Sequence, residues 1–147
     1  MTRRTLLLAS LAPLARADSA QQVWELFGTM AAALSAANPQ QFLAACDKSM
    51  PGYQKLSGNL TALVREFEIQ SSVEFNKNEG DDQKRTVEAD WQMILRPLAT
   101  SNFTNAQREV LATADREQVL ECTAAKKGRK WKLVALEPVD FFAPPAA

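Results

Sequence analysis

The chain has 147 residues, with 17 basic and 17 acidic side chains and no histidine. This length suits one domain, and the balanced charge leaves no basic excess for tracking a phosphate backbone, so a nucleic-acid partner is not expected. The absence of histidine removes the commonest metal ligand and the commonest general base near neutral pH. We therefore predict no metal and no cofactor.

The first 17 residues have the three parts of a secretory signal peptide. Arg3 and Arg4 form a basic start, and the apolar run at 5–12 is too short to span a bilayer. Ala15-Arg16-Ala17 matches the small-x-small cleavage pattern. Cleavage near Ala17 would leave one domain, residues 18–147, with 14 basic and 17 acidic side chains. Exported protein should then begin near Asp18 in N-terminal sequencing, and an intact Met1 on extracytoplasmic material would contradict this.

The expected location is the periplasm or the extracellular space. Paired arginines in the leader fit both a twin-arginine signal and a general secretory signal, so the export route stays open. No cysteine follows the apolar run, so no lipid anchor and no membrane attachment are expected after cleavage.

Three helices are predicted in the first half of the chain. The first carries one apolar stripe, widened by Trp24 and Leu26, with its centre at Val23, Phe27, Met30 and Leu34. Asn38-Pro39 supplies an N-cap and a first helical residue for a short second helix. A third helix is predicted from about Tyr53 to Arg65.

Four strands follow, because the apolar period changes to two. The first two are predicted at 67–76 and 87–95, with turn residues at 79–82. Residues 98–114 are predicted as a long connection, and the last two strands at about 116–126 and 130–137. We expect Phe75 to face Val87, with Ser71 opposite Trp91. In the second hairpin we expect Ala124 opposite Trp131 and Cys122 opposite Leu133. One strand face would then carry Trp131, Leu133 and Ala135, with Trp131 buried against the helices.

Helices followed by antiparallel hairpins make an α+β layout: three N-terminal helices packed on a curved antiparallel sheet of about four strands. Together with the final strand Gly128-Arg129-Lys130-Trp131-Lys132-Leu133, the Glu79-Gly80-Asp81-Asp82 hairpin and the Phe141-Phe142-Ala143-Pro144 tail, this order resembles the nuclear transport factor 2-like superfamily. The resemblance covers about residues 20–145 and is greatest to small secreted bacterial members. It implies a cone, in which the sheet wraps the first helix around a pocket.

The resemblance also raises two functions for that pocket. The superfamily includes ketosteroid isomerases and polyketide cyclases, and the isomerases use an Asp base with an oxyanion hole made by a Tyr and a protonated Asp. This chain departs from that pattern, because its first helix has Trp24 and Phe27 but no tyrosine, and its strand acids are predicted to face outward. We therefore expect a non-catalytic domain that binds a small apolar ligand or a protein partner. An isomerase-like or cyclase-like enzyme is the alternative.

The candidate pocket residues are the aromatic and polar side chains predicted to face the cone interior or its mouth. They are Trp24, Phe27, Tyr53, Ser71, Trp91 and Trp131. The acids predicted on the outer sheet face are Glu68, Glu74, Glu88, Asp90 and Glu121. They are interpreted as a solvated surface, which would need partners for its charges before a homodimer could bury it.

Two further groups are left open. Residues 126–130 form a basic cluster at a hairpin tip, which fits either solvated charge or an anion-binding surface. Cys46 and Cys122 are both predicted to face inward, as a disulfide of an exported protein or as buried thiols.

Overall fold

The computed structural model describes residues 19–112 and 114–145, so the predicted signal peptide lies outside the described residues. Three helices come first: α1 (Ser19–Ser35), α2 (Pro39–Ala44) and α3 (Tyr53–Glu66). The centre of the predicted stripe of α1, from Val23 to Leu34, is fully buried. Asn38 caps α2, since its Oδ1 accepts a hydrogen bond from the Gln41 amide at 3.1 Å. The predicted starts of α2 and α3 are therefore confirmed.

The second half is one antiparallel sheet in the order β1-β2-β3-β4. Its strands are β1 (Phe67–Gly80), β2 (Lys84–Pro97), β3 (Ala114–Lys127) and β4 (Lys130–Glu137). A short helix, α4 (Asn105–Val110), lies in the connection between β2 and β3, and a 3-10 helix (Val139–Phe142) follows β4. The α+β class, with three N-terminal helices on a curved antiparallel sheet, is confirmed.

The predicted register of the first hairpin is wrong by two residues. Phe75 pairs with Ala89 rather than Val87, and Trp91 pairs with Val73 rather than Ser71. Next to the turn the difference is three residues, since Gly80 pairs with Arg85, and a bulge at Asn76 reduces it to two. Because strand side chains alternate with a period of two, a shift of two leaves each apolar residue on its predicted face.

The second hairpin also differs from its predicted register, because its turn lies one residue farther along the chain than predicted. Ala124 pairs with Leu133, and a bulge at Val134 brings Leu136 opposite Cys122. Leu136 is therefore fully buried where Ala135 was expected, and Ala135 is only partly buried. A two-residue turn closes the hairpin, with Gly128 in the left-handed region at φ 67°. Trp131 is 6% exposed, so its predicted burial is confirmed.

The free edge of β4 is covered in part by the chain between α2 and α3. The Leu133 amide donates to the Ala45 carbonyl, and the Asp47 amide donates to the Leu133 carbonyl, both at 2.8 Å. One residue earlier on β4, Lys132 Nζ donates to the Ala44 carbonyl at 2.5 Å. These bonds satisfy groups of an edge strand that would otherwise be open to another chain, and they hold α2 against the sheet.

Candidate functional site

The interior of the cone is filled by the protein's own aromatic side chains. Phe27 from α1, Phe42 from α2, Trp91 from β2 and Phe142 from the 3-10 helix are all fully buried. Trp91 is at the centre, with ring centroids 6.1 Å from Phe27, 5.9 Å from Phe42 and 5.3 Å from Phe142. These separations are those of packed aromatic pairs, so the rings occupy the space in which an interior ligand was expected.

Three of the predicted pocket residues meet in this packed interior. Trp91 Nε1 donates to Ser71 Oγ at 2.8 Å, and the Ser71 amide donates to Ser35 Oγ at 3.1 Å. Phe27 packs against both Trp91 and Phe75. The indole N–H is satisfied within the protein, so Phe27 and Trp91 act here as core residues, with the partly buried Ser71 as the hydrogen-bond partner of Trp91.

Trp24 is not part of the buried stripe, which corrects the prediction that it widens that stripe. Its side chain is 51% exposed, whereas its neighbour Val23 is fully buried. Successive residues of a helix point about 100° apart, so Trp24 lies beside the stripe and faces solvent. It lines a surface groove of about 400 Å³ with Ala32 and Val73, which we call the Trp24 groove.

Trp131 lines a neighbouring groove, which is bounded by α1, α2 and β4 and shares Glu25 and Thr29 of α1 with the Trp24 groove. Its volume is about 430 Å³, and we call it the Trp131 groove. Trp131 Nε1 donates to Gln22 Oε1 at 2.9 Å, which fixes the indole against α1. The side chains and backbone lining the groove belong to Gln22, Glu25, Leu26, Thr29, Gln41, Ala44, Ala45, Arg129, Lys130, Trp131 and Lys132. It therefore combines an apolar floor with a rim of three cations and one acid.

Tyr53 lines a second groove of about 520 Å³, next to the first, which we call the Tyr53 groove. It also contains Leu43, Asp47 and Lys48. Lys132 and Ala44 line both grooves, and the hydrogen bond between them forms the boundary. Tyr53 and Trp131, the remaining predicted pocket residues, thus lie at adjoining grooves outside the packed interior.

Sequence reasoning missed Lys132, which links the two grooves, and Gln22, which orients Trp131. The basic cluster at 126–130 pointed to this end of the molecule. The missing information was that α2 lies across the edge of β4, a contact between residues nearly ninety positions apart.

The strand acids lie on the outer face of the sheet, as predicted. Glu74 pairs with Asp90, and Glu88 pairs with Glu121. Hydrogen bonding to Asp90, which needs a protonated Glu117, and then the negative charge of Asp90 raise the pKa of the Glu117 carboxyl. Asp90 Oδ1 is buried and has no hydrogen-bond partner among the described residues.

Cys46 and Cys122 are both buried free thiols. Burial raises the pKa of Cys46 to about 12 and raises that of Cys122 as well, so neither is a reactive thiolate near neutral pH. Within residues 19–112 and 114–145, no three His, Cys, Asp or Glu side chains come together as a metal site. In the same part of the chain, no helix has the length and apolar character needed to cross a membrane.

Comparison with solved structures identifies the architecture. A conserved protein from Planctomyces limnophilus superposes with a TM-score of 0.68 at 9% identity, over 82% of this chain and 94% of that one. A nuclear transport factor 2-like superfamily protein from Salmonella enterica superposes with a TM-score of 0.60 at 13% identity, over 82% and 89% of the two chains. This chain has the nuclear transport factor 2-like cone fold.

A protein of unknown function from Nostoc punctiforme, described as having a cystatin-like fold, shares the same architecture. Its TM-score is 0.58 at 16% identity, over 79% of this chain and 86% of that one. No protein-family model matches the sequence, and no curated protein matches it either. The cone fold supports a ligand-binding or enzymatic domain in general. The choice between binding and catalysis must therefore be argued from the residues of the site.

Proposed function

We propose that this chain is an exported, non-catalytic binding domain that holds its ligand in the Trp131 groove rather than inside the cone. The observation that carries the proposal is the packed interior, where Phe27, Phe42, Trp91 and Phe142 leave the cone filled. A cone-fold enzyme of the isomerase kind needs a substrate in that interior, beside a carboxylate.

The distribution of acids also supports binding over catalysis. The described strand acids lie on the outer sheet face, away from the aromatic interior. General acid–base work needs a group within hydrogen-bond reach of the reacting proton, and its pKa must suit that task. Ser71, the hydroxyl next to the aromatic interior, is already engaged by Trp91.

The Trp131 groove has the size and composition of a small-molecule site. Its volume lies within the range of roughly 300–1,000 Å³ typical of such sites. Leu26, Ala45 and the edge of Trp131 offer apolar contact, at about 25 cal/mol per Å² of apolar surface covered. The ordered Gln22–Trp131 bond means that this surface is formed before any ligand arrives, which limits the entropy cost of binding.

The test is a fluorescence titration of the mature protein with N-phenyl-1-naphthylamine, an uncharged apolar probe. Ala44→Phe places a ring at the wall shared by the two grooves and should weaken binding by at least about tenfold. Ala32→Phe is the matched control, because Ala32 is also an exposed helical alanine but lines the Trp24 groove. Weakening by Ala32→Phe alone would show that the ligand site is elsewhere.

The enzyme alternative is tested in the same preparation with an enolisable steroid ketone. We expect no isomerisation above the rate without protein. Turnover that disappears in Tyr53→Phe would overturn the binding proposal.

A further inference from the structure

We propose that the ligand of the Trp131 groove is a small amphiphile with one anionic group, which Lys132 binds. This inference rests on the proposed function and adds the chemical class of the ligand. The anionic group is a carboxylate, sulfonate or phosphate on an apolar body. Lys132 and the hairpin tip hold the anion, and Leu26 with Trp131 covers the apolar part.

The first argument is the charge around the groove. Its rim has three cations, Arg129, Lys130 and Lys132, against one acid, Glu25. The ion pairs among the described residues are Lys55–Asp140 and Lys127–Asp47. None of the three groove cations therefore lies within 4.0 Å of a carboxylate of those residues. The groove is thus a positive concavity in a chain whose residues 18–147 carry more acidic than basic side chains. Such a site concentrates anions from solution.

The second argument is the position of Lys132. Its side chain is partly buried and its ammonium is held by the carbonyl of Ala44, at the boundary of two grooves. An ammonium has three N–H donors, and among the described residues one of them is taken by the Ala44 carbonyl. A ligand anion can therefore accept from another donor of Lys132 with little movement of the side chain.

The third argument is the adjacency of the apolar floor to the cations. Trp131 and Lys132 are consecutive on β4, so they point to opposite faces, and Lys132 reaches back over the strand edge to α2. An apolar body on Leu26 and Trp131 would place a group attached to it near Lys130 and Lys132. A neutral apolar ligand would leave these cations unused.

The experiment compares two probes that share one apolar skeleton. 8-Anilinonaphthalene-1-sulfonate carries a sulfonate, and N-phenyl-1-naphthylamine does not. We expect the wild-type protein to bind the sulfonate about tenfold more tightly at low salt, the equivalent of one charge-assisted contact. This preference should shrink as salt is added.

Lys132→Met removes the charge and keeps most of the stem, so the preference should fall to about one. Lys77→Met is the matched control, since it removes an exposed lysine of β1 that lines neither groove, and it should leave the preference unchanged. A second variant, Arg129→Gln with Lys130→Gln, changes only exposed side chains of the hairpin and should lower the preference in the same direction. The measured quantity is the ratio of the affinities for the two probes, because a general structural effect would lower both affinities together.

The source of the anion is tested by two further arms. Decanoate in solution should displace the sulfonate probe more effectively than decanol, and vesicles of phosphatidylglycerol should not retain the protein. Equal affinity for the two probes, or a preference that survives both the Lys132→Met and the hairpin variants, would overturn this inference and leave the proposed function standing. Retention on vesicles without a preference for the sulfonate probe would also overturn it. Failure of both probes to bind would overturn the proposed function itself.

Discussion

Replacing Trp91 with alanine should lower the free energy of unfolding by about 3–5 kcal/mol, the usual cost of truncating a large buried aromatic. Trp91 is fully buried and contacts three other aromatic rings, so the cavity would lie at the centre of the cone. The substitution would also leave Ser71 without its partner. Since a domain of this size is stable by only about 5–15 kcal/mol, a large part of its stability would be lost. Urea denaturation measures the change.

Trp24→Ala is the matched control, because it removes the same side chain from a half-exposed position on α1. We expect it to cost less than about 1 kcal/mol. Trp91→Phe keeps a ring in the interior and removes the indole N–H, so its cost should fall between the two. Equal losses for Trp91→Ala and Trp24→Ala would contradict the packed interior.

Phe142→Ala should also cost about 3–5 kcal/mol, although the residue is near the end of the described chain. Phe142 is fully buried, with its ring centroid 5.2 Å from that of Phe42 and 5.3 Å from that of Trp91. Arg116 holds this segment, since its guanidinium donates to the carbonyls of Phe141 and Ala143 at 2.6 and 2.7 Å. The tail therefore closes one end of the cone.

Phe103→Ala is the control for a phenylalanine outside the interior. Phe103 is partly buried and packs on Phe67, so its truncation should cost clearly less. Thermal unfolding of the two variants beside the wild type decides the question. A Phe142→Ala protein as stable as Phe103→Ala would show that the tail does not close the cone in solution.

The helices and the strand faces could be predicted because they depend on local spacing. The stripe of α1, the Asn38 cap and the inward face of β2 follow from periods of 3.6 and 2 and from cap chemistry. The helix α4 could also have been predicted, because Thr104 and Gln107 form a capping box at its start. This segment was instead assigned to a long connection.

The registers and the site were not predictable in the same way. The bulges at Asn76 and Val134 leave no local signal in an alternating pattern, and each changes the pairing of its hairpin. The grooves depend on contacts distant in sequence, such as Lys132 with Ala44 and Trp131 with Gln22. The six predicted pocket residues are divided among three parts of the structure. Phe27 and Trp91 lie in the core with Ser71 bonded at its edge, Tyr53 and Trp131 line two grooves, and the half-exposed Trp24 lines a third.

The most direct test of the central claim uses the three tryptophans of the chain as reporters. Each indole N–H gives its own resonance in a ¹H–¹⁵N spectrum, and Trp24→Phe and Trp131→Phe assign the three. Addition of N-phenyl-1-naphthylamine should move the Trp131 resonance, whose N–H bonds to Gln22 at the groove, and leave that of Trp91 in place. A shift of Trp91 with Trp131 unchanged would mean that the ligand enters the cone, and would contradict the account.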